Sequence, residues 1–174
     1  MKKSVLLILT VFCFVTVFSQ KTTPSLRVKA YQRSYLSGVA PTTIVEIGGK
    51  ETASAAVVHD PEYFIYLIAN KVPYLKIERV WIKKQLYLAS IEKINEKPVV
   101  IVDGKKKDTL IKYTDEMVWQ IKIVRKDSTG IKPKKDIADQ VKANELVIRL
   151  NDKSGNVFTR TVKNIAVLEA QRGQ

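Results

Sequence analysis

Short runs of alternating apolar and polar residues, each closed by a turn signal, recur along most of this chain, and no long segment repeats with a helical period. That feature restricts the fold more than any other, because side chains two apart share a face only in an extended strand. Trp119, Ile121 and Ile123 alternate with Gln120 and Lys122, and Leu146, Ile148 and Leu150 alternate with Val147 and Arg149. Leu26, Val28 and Ala30 do the same against Arg27 and Lys29. Each pattern predicts a half-buried strand.

Tyr63 to Ala69 has no polar face and is bounded by Pro61 and by Asn70 with Pro73, which suits a strand covered on both sides better than a helix. Along Leu75, Ile77, Val80, Trp81 and Ile82 the parity of the apolar positions changes near Glu78 and Arg79, so a β-bulge is expected there. Turns are predicted at Gly48-Gly49, Lys83-Lys84-Gln85, Asp103-Gly104 and Asp152 to Asn156. Further short strands are expected at Ile44 to Ile47, Leu86 to Ile94, Pro98 to Val102 and Val157 to Val162, with Ile165 to Leu168 prolonging the last or starting another. Ile137 and Val141, four apart within Asp127 to Ala143, point to one or two helical turns in a crossover. These elements predict an all-β fold: an antiparallel β-sandwich, its immunoglobulin-like topology taken from strand number alone, with an up-and-down barrel as the alternative. Trp81, Trp119, Phe64 and Ile148 are the expected core.

Ahead of this region Lys2 and Lys3 precede 14 uncharged residues from Val5 to Phe18, a run too short to cross a bilayer and ending in residues that suit a signal peptidase. The expected organisation is a helical signal peptide over residues 1–20, a short tether over 21–25 and a single β domain over 26–172. The only cysteine, Cys13, lies inside the apolar run behind the bulky Phe12, which argues against lipidation. Cleavage would leave no cysteine, so the domain has to be held by burial alone. No Asn-x-Ser/Thr sequence occurs either. Both features fit a bacterial envelope, periplasmic or extracellular, better than a eukaryotic secretory route.

Several chemistries fail on residue supply. His59 is the only histidine, no G-x-S-x-G turn surrounds a serine, and a Cys-His site has no cysteine outside the leader. Ser90 and Lys93 match S-x-x-K in letters, yet in a strand a spacing of three sends them to opposite faces. Gly49-Lys50 lacks the first glycine and the hydroxyl residue of a phosphate-binding loop. Zinc ligands are absent as a set, and Asp152 to Asn156 reads as a hairpin turn rather than a calcium loop. No cofactor or metal is therefore expected. Only a hydrolase using a carboxylate pair survives as a catalytic alternative.

Charge is the remaining signal. Lys and Arg number 30 against 17 Asp and Glu, a net +13, falling to +11 when two leader lysines are removed. Two dense places stand out: Lys105, Lys106 and Lys107 after the Asp103-Gly104 turn, and Lys122, Arg125, Lys126, Lys132, Lys134 and Lys135 against Asp127 alone. Brought together they would attract phosphates or sulfates; kept apart, they solvate loops and guard strand edges. Nucleic acid is disfavoured, because few aromatics interleave with the cations. The expected function is a non-catalytic, exported binding or structural component of the cell envelope. Its partner would be an envelope protein or an anionic glycan or lipid head group.

Overall fold

The computed structural model describes residues 25–34, 44–48, 50–53, 61–70, 72, 74–103 and 106–169. The expected signal peptide, all but the last residue of the tether, His59, Gly49, Gly104 and Lys105 lie outside the described residues. Among those described, the chain runs through β1 (Leu26–Arg33), β2 (Ile44–Ile47), β3 (Lys50–Ala53), β4 (Glu62–Ala69), β5 (Leu75–Ile82), β6 (Gln85–Ile94), β7 (Val99–Asp103) and β8 (Lys106–Ile111). It continues through β9 (Met117–Lys126), α1 (Lys135–Ala143), β10 (Leu146–Asp152), β11 (Val157–Val162) and β12 (Ala166–Val167).

The protein is mostly β, as its alternation demands. An eight-stranded sheet has the order β11-β10-β5-β6-β9-β4-β1-β12, and a four-stranded sheet has the order β3-β2-β7-β8. The large sheet curls until β11 comes back beside β1, where Arg160 Nε donates to the Leu26 carbonyl at 3.1 Å. A half-barrel curl is thus combined with a smaller second sheet. Among the described strands the expected antiparallel pairing holds except at one edge: β12 is a separate strand and runs parallel to β1, matching Tyr31 with Ala166 and Gln32 with Val167. Its physical effect is to cover part of the edge that β1 would otherwise leave unpaired.

Burial follows the alternation. Inside the curl, Leu26 and Ala30 of β1, Ile65 and Leu67 of β4, Trp119 and Ile121 of β9, and Leu146, Ile148 and Leu150 of β10 pack into one core. The opposite face of β4 is covered as well. Phe64, Tyr66 and Ile68 meet Val99 and Ile101 of β7 and Leu110 and Ile111 of β8, so the small sheet lies on the outside of the large one. That double cover explains why Tyr63 to Ala69 has no polar face. A third cluster joins Trp81, Leu86 and Val147 on the outer face to Ile137 and Val141 of α1, the pair whose spacing predicts the helix. Trp81, Trp119, Phe64 and Ile148 are all buried, as expected.

Local geometry explains two turns. Gly48 has φ of +59°, and a Cβ there would stand 2.5 Å from that of Glu96, so the turn between β2 and β3 requires glycine. Lys83 and Lys84 join β5 to β6 with φ of 47° and 70°, the two positive values of a type I′ hairpin. Lysine is a poor choice at both positions, because a Cβ crowds the left-handed region. Replacing the pair by Asn-Gly (Lys83→Asn, Lys84→Gly) is expected to raise unfolding stability by about 1 kcal/mol. An unchanged midpoint in urea unfolding would contradict this account of the turn.

Candidate functional site

Strand pairing brings arginines together that are far apart in sequence. In β5, Ile77 and Val80 both face the inner core, so one residue between them is extra. The pairing confirms it: Arg149 matches Arg79 while Leu150 matches Ile77, leaving Glu78 as the bulge expected from the change of parity. A second irregularity lies between β6 and β9, where Ala89 matches Ile123 but Leu88 matches Arg125, so Val124 is the extra residue. By strict alternation Arg125 would share the inner face with Ile121 and Ile123. The bulge turns it outward beside Leu88. Arg149 and Arg79, joined by direct pairing, and Arg125 two strands further on therefore occupy one outer face.

Above this face runs the crossover into α1. A small cleft of about 70 Å³ opens between the two, walled by Glu78, Arg79, Trp81 and Arg149 from the strands and by Ile131, Lys132, Lys134 and Ile137 from the crossover. Arg149 is the organising cation. Its Nε donates to Glu78 at 2.9 Å and its Nη1 to Asp136 at 3.0 Å, which ties the first turn of the helix to β5 and β10. Burial works against that charge, but the two carboxylates outweigh it and hold the guanidinium more firmly protonated than usual. Glu78 and Asp136 are thereby committed to one arginine. Among the described residues Arg79, Lys132 and Lys134 form no ion pair, and they set the sign of the cleft.

One further feature favours an anion. The N-cap of α1 is Lys134, whose side chain accepts nothing from the helix, so the first-turn N–H groups lack the usual capping oxygen. Trp81, only 1% exposed, has its indole Nε1 buried with no hydrogen-bond partner. Next to the cleft, Asp127 is held below the ordinary carboxylate range by the backbone N–H and hydroxyl of Thr129, with Arg125 and Arg79 acting in the same direction.

Of the residues expected in an anion patch, Lys132 and Lys134 line the cleft, Lys135 begins the helix, and Arg125 and Lys126 end β9 nearby. Lys122 is bound to Glu92 across the sheet. Lys106 and Lys107 start β8 on the small sheet, a different layer, where Lys106 binds Glu169 and that hydrogen bond raises its pKa. The two clusters thus stay in separate layers. Arg79 and Arg149 are the additions; each is the polar member of a strand pattern, and only strand order shows that they adjoin. Among the described residues no group of three His, Cys, Asp or Glu side chains is placed to hold a metal, and no helix is long and apolar enough to cross a membrane. No family model, curated protein or solved structure matches this chain.

Proposed function

We propose that this is an exported, non-catalytic binding component of a bacterial cell envelope, carried on a sandwich-like scaffold, and that it recognises an anionic polymer or surface through the outer face around Arg79. The export half of the proposal rests on Lys2, Lys3 and the apolar run to Phe18, and on the lack of any cysteine beyond Cys13. The binding half rests on one observation above all: two bulges and a crossover gather Arg79, Arg125, Lys132 and Lys134 from three separate stretches of chain, while Glu78 and Asp136 are spent on Arg149 and Asp127 is the acid that remains beside the arginines. That same commitment of Glu78 and Asp136 speaks against a carboxylate-pair hydrolase at this place, since neither is left to act as acid or base.

Binding of this kind releases counterions and weakens with salt. For four engaged cations, affinity for a sulfated polysaccharide is expected to fall about 100-fold between roughly 50 and 200 mM salt. The double variant Arg79→Glu, Lys134→Glu should flatten most of that dependence. An affinity that does not change with salt, or one indifferent to the double variant, would remove the anion-binding proposal.

A further inference from the structure

We infer that the outer face between Arg79 and Arg125 is a docking surface for an anionic lipid bilayer, with Leu88, Val124 and Ile131 entering the head-group layer while the cations beside them hold lipid phosphates. This rests on the anion-binding proposal and goes beyond it, because a soluble anionic polymer makes no use of exposed aliphatic side chains. Among the described residues the large exposed aliphatics are Leu88, Val124, Ile131, Val157 and Val167, and the first three belong to this one face. Apolar residues scattered singly over a surface need no explanation; apolar residues gathered among cations do.

Strand pairing puts them there. Val80 pairs with Tyr87 and Trp81 with Leu86, so one step further along the two strands Leu88 lies beside Arg79, and on its other side it matches Arg125. Leu86 shares this face and is covered by α1, leaving it 7% exposed, whereas Leu88 is 42% exposed. Val124 emerges at the bulge next to Arg125 and is 63% exposed. Ile131, 47% exposed, comes from the crossover and walls the cleft with Arg79 and Lys132. Each aliphatic therefore adjoins a cation. Arg79, Arg125, Lys132 and Lys134 stand against Asp127 and the single negative charge by which Glu78 and Asp136 exceed Arg149. Such a small surplus attracts anionic head groups only weakly, so the apolar contacts are what fixes the face to a bilayer. A polysaccharide has no apolar layer to receive leucine, valine and isoleucine. Nor, with Trp81 buried, does the face offer an exposed ring for a sugar to stack on, among the described residues.

In the full chain carrying Cys13→Ser, one thiol is introduced by Val124→Cys, or in a separate sample by Val167→Cys in β12 at the far edge of the sheet, and labelled with an environment-sensitive fluorophore. Vesicles of equal parts phosphatidylcholine and phosphatidylglycerol are compared with vesicles of phosphatidylcholine alone, and with soluble polyglutamate standing in for an acidic protein. The label at Val124→Cys is expected to shift to the blue on the mixed vesicles only, while the label at Val167→Cys stays unchanged. Both samples contain the apolar run Val5 to Phe18, so insertion of that run cannot produce the difference. Adding Leu88→Ser and Ile131→Ser should weaken the vesicle response about tenfold and leave affinity for a sulfated polysaccharide as it was. The bilayer surface is overturned by equal shifts at both positions, by no shift at Val124→Cys, by a shift as large on phosphatidylcholine alone or on polyglutamate, or by a response the two serines do not touch. Salt-sensitive binding to the polysaccharide would survive each of those results, so the two failures can be told apart.

Discussion

Leu67→Ala is expected to cost about 2–5 kcal/mol, while Tyr66→Phe, one residue away on the same strand, should leave stability unchanged or raise it by about 1 kcal/mol. Both side chains are fully buried, on opposite faces of β4. Truncating Leu67 leaves a cavity among Ile65, Trp119 and Ile148 that a stiff sheet cannot collapse to fill. Tyr66 is different. Its hydroxyl is buried between the sheets without a partner, and burial, then the Glu62 carboxylate and the neighbouring Tyr31 phenol, push its own phenol well above the ordinary range. Removing that oxygen deletes an unmet donor and keeps the ring. Urea unfolding of the two variants reads both effects. A loss above about 1 kcal/mol for Tyr66→Phe would mean that the hydroxyl is satisfied in solution.

Trp81→Ala should be among the most damaging substitutions on the outer face, at about 3–5 kcal/mol. The indole is the largest side chain in the cluster that docks α1, and its loss leaves Ile137 and Val141 without their main partner. Trp81→Phe retains a ring and removes the unpartnered N–H, so it should recover more than half of the loss. Amide exchange over Lys135–Ala143 discriminates a local effect from a global one. In Trp81→Ala these amides should exchange faster than those of β4. A cost below about 1 kcal/mol would show that Arg149, through Asp136, holds the helix without help.

How legible all this was in the sequence depends on range. Alternation in β9 and β10 displays the inner face directly, because period two is a local property. The bulge at Glu78 is visible too, since Ile77 and Val80 break parity within a few residues. The second bulge is silent: beyond Ile123 the apolar pattern simply ends, and nothing in Val124 or Arg125 announces a change of face. The site depends on long-range pairing. Arg149 meets Arg79 only because the crossover carries β10 past β9 and β6 to the far side of β5. No local pattern encodes that choice. Likewise Lys105 to Lys107 is conspicuous as a run, yet its position is decided by the small sheet, whose first two strands carry the weakest signals in the chain. The double-sided cover of β4 was readable, but not what covered it.

The place where β11 returns to β1 bears on the timing of folding. Leu26 waits for Arg160, and Tyr31 and Gln32 wait for Ala166 and Val167, contacts that span well over a hundred residues. Contacts of that span give the fold a high contact order, which makes folding slow. Slowness of that kind lengthens the time for which the inner faces of β1 and β4 stay open to solvent and to other chains.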